Sequence, residues 1–491
     1  MRKFIVLNDP ARWNFEVPDV EVLSAREYLL SDQLAEVKKA RIFNLCHPYK
    51  YDSMAYYVSL LGEARGHKVI PNVMTIQDLK ASGIVRVVSD ELDELIDATL
   101  KTNESTQIEF NIYFGRALLT DNARLARELY ALFQVPLMQA RFARSKRTNR
   151  WELRGLKPLS LADIPSEDRD RVQNLAREYF GKKRHGGLKK DRFIYDLAIL
   201  SNPEEKAPPS DALALNKFVE AAESQGFSVE FISRLDYGRV AEFDALFIRE
   251  TTAVNHHTYR FARRAQADGI VVIDDPDSIL KCTNKVYLAE LLQRARVGTP
   301  KTLILHAQNL AEVNGELGFP CVLKLPDSSF SQGVVKVENE EELKSVVPGM
   351  LAKSDLIVAQ AFTPTDFDWR IGVLDNQPLY ACRYFMAPNH WQIYNWQDPA
   401  DWWGDTQTLP VGDVPTSVLE TALKACRIIG DGLYGVDLKE VNGQPLVIEV
   451  NDNPSVDSGC EDKVMHDELY RAIMRSFRRR IESKRSESRE R

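Results

Sequence analysis

The sequence predicts a multidomain chain of mixed α/β and α+β class, and three observations lead there. Strand-like and helix-like runs alternate over residues 193–275, the pattern of parallel βαβ units. From Lys281 onward, many strands joined by short turns mix with helices, the pattern of an α+β region. At 491 residues the chain is too long for one ordinary core, so roughly two to four domains are expected.

Taken in order, FIVLND (4–9), ARIFNLC (40–46) and KVIPNV (68–73) read as strands, and MAYYVSLLGEARG (54–66) has helical spacing ending at a glycine. Residues 1–180 are therefore expected to form an α/β domain. No chemical constellation marks a role for it, and His47 and the pair Tyr56–Tyr57 read as packing groups. Residues 181–190, GKKRHGGLKK, hold three glycines and five cations and read as a linker. Beyond it come strand FIYDLAIL (193–200), a helix from Asp211, and strands FSVEFIS (227–233) and FDALFIRE (243–250). A helix near 257–268 and strand GIVVIDD (269–275) follow. This unit lacks a G-x-G-x-x-G fingerprint, so dinucleotide binding is not expected. His256 and His257 are adjacent; on a helix they would diverge by about 100° and could not hold one metal together. Next, KVYLAELLQRARVG (285–298) reads as a helix.

Composition sets further bounds. With 44% hydrophobic and 27% charged residues, the chain can build cores. No apolar run approaches the roughly 20 residues of a membrane span, and MRKFIVLNDP lacks a signal-peptide core. Six scattered cysteines with no C-x-x-C pair argue against a disulfide framework or a structural zinc site, so a cytoplasmic location is expected. The net charge of −7 is uneven: Arg471–Arg491 carries nine Lys/Arg against three Asp/Glu, leaving about −13 for the rest. Residues 141–150, RFARSKRTNR, add five cations without an acid. Each cluster is either a solvated loop or tail, or a dock for nucleic acid, the ribosome or an acidic partner; no aromatic interleaving decides between them.

The chemistry concentrates between 281 and 455. PLVIEVNDNPS (445–455) is an apolar strand with Glu449 set inside it, and a carboxylate without a partner is costly to bury. Glu449 and Asn451 share one face, while Ile448 and Val450 take the other. Upstream, GVDLKEVNGQ (435–444) is a second strand, with an Asn442-Gly443 turn between the two, a hairpin signal. A two-residue turn would put Asp437 opposite Ile448. A three-residue loop, with Gly443 left-handed, puts Asp437 with Glu449 and Asn451, and that form is expected. The product is a hard-oxygen cluster suited to Mg²⁺, the alternative being the polar face of an ordinary sheet. VLKLPDSSFSQGVVKV (322–337) places Lys324 amid apolar residues, ahead of a Ser/Gly loop whose backbone could approach phosphate or which is a plain hairpin loop. In CTNKVY (282–287), Lys285 enters a helix near Thr283, and a helix N-terminus with an ammonium favours an anion.

Together and in this order, NK (284–285), VLKLPDSSFSQGV (322–334), LIVAQAF (356–362), DWR (368–370), CRYF (382–385), GVDL (435–438) and IEVNDNPS (448–455) resemble the ATP-grasp superfamily. The resemblance is strongest to RimK-type carboxylate–amine ligases, which add glutamate to a carboxyl end. It implies an ATP-grasp fold over 281–475, a Rossmann-like pre-ATP-grasp domain over 191–280, an extra RimK-like domain over 1–180, and a basic tail over 476–491. It implies ATP as cofactor, with two Mg²⁺ ions (Mn²⁺ as the substitute) on Asp437, Glu449 and Asn451. Lys285 and Lys324 would contact phosphates, and the loop 327–333, with Ser331 and Gly333, would fold over them. Backbone at Gln360, Ala361 and Phe362 would read adenine, although Ala361 stands where the family usually has Glu. Asp368 would reach the ribose side. Arg370 and Arg383 would stabilise the transferring phosphoryl group and the tetrahedral intermediate.

A larger departure follows Arg383. Where the family has an Arg-Ser-Asn-like step, this chain has MAPNHWQIYNWQDPADWWGD (386–405), with four of its seven tryptophans. Asn395 takes the place of the family's asparagine in one alignment, and the segment would shape an acceptor pocket or a lid. The resemblance implies an ATP-dependent ligase that forms an amide or peptide bond through an acyl phosphate. Its substrates would be amino acids and carboxylates, a protein C-terminus among them, and it would act as a homo-oligomer without membrane contact. A small-molecule ligase of the glutathione-synthase kind and a catalytically silent nucleotide-binding regulator are the competing readings. The basic clusters favour a macromolecule, and Lys285, Lys324, Arg383, Asp437, Glu449 and Asn451 argue against the regulator.

Overall fold

The computed structural model describes residues 2–17, 20–37, 40–80, 85, 92–146, 148–181, 193–327, 333–388, 390–393 and 404–490. Ser331, Asn395 and, apart from Gly181, the linker 181–190 lie outside the described residues. The chain divides into two compact units: Met1–Gly187 with Leu235–Glu242, and Leu188–Arg234 with Phe243–Arg491.

In the first unit the strands expected at 4–9, 40–46 and 68–73 form as Arg2–Leu7, Ala40–Asn44 and Lys68–Ile70. With Glu21–Ser24 they make a parallel sheet in the order Glu21–Ser24, Arg2–Leu7, Ala40–Asn44, Lys68–Ile70. Both faces are covered, which is why adjacent positions such as Phe4, Ile5, Val6 and Leu7 are all apolar. Phe4, Val6 and Ile42 pack with Ala55 and Val58 of the helix Met54–Ala64 on one side. Ile5, Leu7 and Phe43 pack with Val172, Ala176 and Phe180 on the other. A second, antiparallel sheet follows, in the order Arg116–Ala117, Gln107–Tyr113, Leu137–Arg144, Trp151–Pro158. Of the basic cluster 141–150, residues 141–144 end one of these strands and Arg150 directly precedes the next. Phe142, Trp151 and Leu153 are buried, and the Arg144 guanidinium lies 5.1 Å over the Trp151 ring.

In the second unit Phe227–Ile232, Tyr195–Ser201, Ala245–Arg249 and Val271–Ile273 form the expected all-parallel sheet, in that order. The helices Ala212–Ser224 and His257–Ala267 belong to it. Two antiparallel sheets come next. One runs Thr302–Leu305, Ile357–Ala361, Cys321–Lys324, Val334–Val337. The other runs Thr406–Leu409, Gln377–Phe385, Phe367–Leu374, Leu433–Val441, Gln444–Asn451. The regions expected as separate domains over 191–280 and 281–475 share a core, in which Leu197, Phe218 and Phe247 meet Tyr380 and Tyr384.

The expected basic tail over 476–491 is instead part of the helix Asp467–Glu490. Tyr470, Ile473, Met474, Phe477 and Ile481 recur at helical spacing and are buried in that shared core. The arginines turn outward onto acids: Arg479 and Arg480 pair with Asp375, Arg480 also with Asp431, and Arg485 with Asp244. Among the described residues no helix is long and apolar enough to cross a membrane, and all six cysteines are free thiols.

Candidate functional site

The acid-bearing hairpin forms by a different route from the expected one. Val441 pairs with Gln444, so the turn has two residues, Asn442 and Gly443, both with positive φ (51° and 75°). Those angles suit the two-residue turns that match strand twist. A regular ladder from such a turn would oppose Asp437 to Ile448. Instead Leu438 pairs with Val447 and Asp437 with Glu449, leaving Ile448 as the extra residue of a β-bulge. The bulge supplies the parity shift that a three-residue loop was expected to supply. Asp437, Glu449 and Asn451 thus line one cavity, and Ile448, expected to face away, lines it as well.

That cavity holds about 360 Å³ and collects most of the sequence-predicted residues. Lys285 is the first residue of the helix Lys285–Arg294, whose N-cap Asn284 accepts from the Val286 and Tyr287 amides. Its Nζ stands 2.8 Å from Glu449 Oε1. Lys324 ends the strand Cys321–Lys324, and its Nζ donates to Gln360 Oε1 at 2.9 Å. Burial pushes the Lys324 ammonium down to about 8; Glu449 opposes that shift and Lys285 adds to it. For Glu449, burial works upward but the adjacent Lys285 and then Lys324 outweigh it, so the carboxylate lies below its ordinary range. For Asp437, burial wins over Arg370 and the carboxyl lies above its ordinary range.

Arg370 grips Asp437 with both ends of its fork, Nε to Oδ1 at 2.5 Å and Nη2 to Oδ2 at 3.0 Å. Asn451 Nδ2 donates to the same Oδ2 at 3.1 Å. Gly435 makes room for this arrangement: a Cβ there would meet Pro454 Cβ at 2.7 Å and Arg370 Cδ at 3.2 Å. Asp368 lines the cavity too, its Oδ1 accepting from Lys439 Nζ at 2.5 Å and Thr365 Oγ1 at 3.1 Å.

Arg383 does not line the cavity, against expectation. In the ladder Trp369 pairs with Arg383, while Asp368 pairs with Tyr384 and Arg370 with Cys382. Arg383 therefore shares the face of Trp369, and its guanidinium lies 4.8 Å over the rings of both Phe367 and Trp369. Tyr384 occupies the cavity side, 4.9 Å beneath the Arg370 guanidinium, and its hydroxyl donates to Glu461. Gln360, Ala361 and Phe362, whose backbone was expected to read adenine, line the cavity, and two of their amides have partners. Ala361 donates to Lys301 O at 2.9 Å and Phe362 to Pro320 O at 3.3 Å. Gly333 packs on Leu325 outside the lining, which its neighbour Val334 joins.

Several cavity residues were not singled out in the sequence. Lys439 had a signal, since it stands two residues from Asp437 on the same strand and so on the same face. Trp391, by contrast, belongs to the segment 386–405 expected to shape a pocket or lid; it lines the cavity and meets Phe362 edge-on at 5.8 Å. Behind the lining, Arg249, 1% exposed, donates to Asn453 Oδ1 at 2.6 Å and to Pro454 O at 2.9 Å, fixing the chain just after Asn451. The histidine expectation is corrected as well. His256 is the N-cap of the helix His257–Ala267, with extended backbone (φ −112°, ψ 160°), so it lies outside the helix. Its ring meets that of His257 at 3.9 Å between centroids, and with Glu250 the two histidines bring ligand atoms within 4.8 Å of one another.

The donor set of Asp437, Glu449 and Asn451 fits a hard divalent cation. It offers two carboxylates and an amide oxygen on one surface, and each carboxylate now has a cationic partner that a metal could take over from.

Residues 25–175 match the family model for the RimK-like ATP-grasp N-terminal domain, and residues 297–459 match that for the D-ala D-ala ligase C-terminus. A "Probable alpha-L-glutamate ligase 1" of Hahella chejuensis is 25% identical over 283 residues, 53% of this chain and 88% of that protein. A "Probable alpha-L-glutamate ligase" of Stutzerimonas stutzeri is 25% identical over 268 residues, 50% and 85% respectively. The solved D-alanine–D-alanine ligase of Bacillus anthracis complexed with ATP aligns with 59% of this chain and 99% of its own, at 16% identity and a TM-score of 0.47. The chain thus matches a RimK-like ATP-grasp N-terminal domain over 25–175 and, after it, a D-ala D-ala ligase C-terminus over 297–459, and is similar over about half its length to proteins named as glutamate ligases.

Proposed function

We propose that the chain is an ATP-dependent carboxylate–amine ligase that forms an amide bond through an acyl phosphate. The observation that carries this reading is the convergence of Lys285, Lys324, Arg370, Asp437, Glu449 and Asn451 on one cavity.

The obstacle in such a reaction is charge. A carboxylate must approach a triphosphate, and each unit pair at 4 Å repels by about 1 kcal/mol in water and about 4 kcal/mol near a protein surface. Lys285 and Lys324 would offset this at the phosphate oxygens, Lys285 by turning its ammonium from Glu449 toward the nucleotide. Asp437, Glu449 and Asn451 would hold Mg²⁺, two ions on the family pattern with Mn²⁺ as substitute, and the bound metal supplies positive charge beside the phosphates. Arg370 acts as a positioning residue, fixing Asp437 through two hydrogen bonds. The substrate carboxylate oxygen attacks the γ-phosphorus and ADP leaves. An amine nitrogen then attacks the acyl carbon, expelling phosphate and losing a proton. Met386, Trp391 and Ile393 form an apolar wall that would limit water at the acyl phosphate.

The relatives named for glutamate support glutamate as the amino acid added; a protein or peptide carboxyl end is the acceptor this reading takes. The small-molecule reading gains from the C-terminal helix, where Arg471, Arg475, Arg478, Arg479, Arg480 and Arg485 are partnered by acids of the same chain and so offer less to a macromolecule. The free cysteines support a cytoplasmic setting. ADP release with ATP, Mg²⁺ and a panel of amino acids tests the reading: release that requires both a carboxylate and an amine is expected, glutamate being the preferred amine. Absence of ADP with every pair would leave a silent binder.

A further inference from the structure

A second polar cluster, unused by the chemistry above, lies just beyond the strand Ala245–Arg249. Glu250 is 3% exposed, and His257 Nε2 stands 2.6 Å from its Oε2. His256 closes the group, its ring against that of His257. One nitrogen of each imidazole and one carboxylate oxygen lie within 4.8 Å of one another, close enough for a single ion to reach all three.

The surroundings hold these groups in place. Asn453 Nδ2 donates to the Glu250 carbonyl at 2.6 Å, and Arg249 is pinned to Asn453 and Pro454. Thr258 Oγ1 lies 3.1 Å from His256 Nδ1, and the His256 amide donates to Ala253 O at 3.1 Å. Such outer contacts orient ligands and are a regular part of metal sites. A second carboxylate, Glu205, accepts the Thr251 amide at 3.1 Å and adds negative charge nearby. Two imidazoles and one carboxylate suit a borderline cation of the zinc class, with a fourth position open to solvent, whereas Mg²⁺ prefers oxygen alone. His256 is exposed, so the ion has a way in.

We infer that Glu250, His256 and His257 bind one zinc-class divalent ion per chain, at a site separate from Asp437, Glu449 and Asn451. Binding replaces the hydrogen bond between His257 and Glu250 with bonds to the ion, the imidazole carrying its proton on the nitrogen that faces away from it. The ion then ties the start of the helix His257–Ala267 to Glu250, and Thr251, Thr252 and Asn255 in between line the cavity. A zinc-class ion would thus stiffen one wall of the proposed ligase site.

The test is a Co²⁺ titration of the full chain in excess Mg²⁺, read by visible absorption, since a low-coordinate nitrogen–oxygen site absorbs far more strongly than an octahedral oxygen site. The expected result is a saturable band at one equivalent, abolished by Zn²⁺, unchanged in Glu449→Gln, and accompanied by a rise in Tm. His256→Ala should weaken binding by about 100-fold or more, because even an outer-shell partner is worth roughly 10–100-fold. Should that variant not fold, His257→Asn carries the same expectation, and the wild-type spectrum stands without either. No saturable band, a band insensitive to both histidine variants, or one lost in Glu449→Gln would overturn the assignment.

Discussion

Arg370 and Arg383 lie on neighbouring strands of one sheet, and their surroundings share nothing. Arg370 is on the face that lines the cavity, where it holds both oxygens of Asp437 above the Tyr384 ring. Arg383 is on the opposite face, stacked over Phe367 and Trp369, with its Nε buried and unpaired. The difference is one of parity. Paired residues share a face, Arg383 pairs with Trp369, and Trp369 is one residue away from Arg370. Whether a cation can serve the chemistry depends on that single step along a strand, not on its being an arginine in a plausible motif.

The largest expected effect separates the two directly. Arg370→Ala should lower kcat by about 100-fold or more, because Asp437 loses its anchor while buried. Arg383→Ala should keep turnover near the wild-type value and lower stability by about 1–2 kcal/mol through lost stacking. Steady-state kinetics beside urea titrations would show this, and a dead, fully stable Arg383→Ala would break the comparison.

A second contrast divides the faces of the helix Asp467–Glu490. Phe477 is fully buried, and Phe477→Ala should cost about 3–5 kcal/mol in a denaturant titration. Arg479 has 61% of its side chain exposed, and Arg479→Ala should cost less than about 1 kcal/mol. Equal costs would restore the reading of this segment as a loose basic tail. Smaller again is a contrast between two glycines of the acid hairpin. Gly435→Ala, crowding Pro454 and Arg370, should cost about 1–3 kcal/mol and reduce turnover. Gly443→Ala, at φ 75° in the turn, should cost about 1–2 kcal/mol and spare turnover. If both lowered kcat alike, Gly435 would have no special tie to Arg370.

The smallest effect is a proton. Burial lowers Lys324 to about 8, so above that pH the free protein carries a neutral amine there. An unfolded lysine still binds its proton, and the fold gains stability from this group as pH rises above about 8 toward the ordinary lysine value. Nucleotide phosphates favour the ammonium, so the sign reverses for binding: ATP affinity should fall as pH rises through 8. Calorimetry near pH 8.5, in buffers of different ionisation heat, should record proton uptake that Lys324→Met removes.

Much of the fold is legible in the sequence where strands are buried on both faces, because FIYDLAIL and FDALFIRE are then mostly apolar, with LAIL and ALFI as continuous stretches. The sheet of Gln107–Tyr113, Leu137–Arg144 and Trp151–Pro158 is not. In RFARSKRTNR the cations outnumber apolar residues, and the burial of Phe142 beside exposed Arg141 is easily lost in the charge count. The same masking hides the C-terminal helix, although Ile473, Phe477 and Ile481 recur every fourth residue. Within the site, the acids stand out because IEV and GVDL put carboxylates in apolar strands. The bulge at Ile448 leaves no trace, since an isoleucine there looks like any strand residue and no turn former marks the extra position. His256 misleads for a related reason: histidine is not among the favoured N-caps, so its place just outside the helix is invisible beforehand.

The proposed ligase chemistry requires a nucleotide-and-metal site in the cavity of Lys285, Lys324, Asp437 and Glu449. Its most direct test is isothermal titration of ATP, across a range of Mg²⁺, into the wild-type chain and Glu449→Gln. The wild type should bind saturably with an affinity that rises with Mg²⁺, and Glu449→Gln should lose both most of that affinity and its dependence on the metal. Equal affinity and equal Mg²⁺ dependence in the two proteins would contradict it.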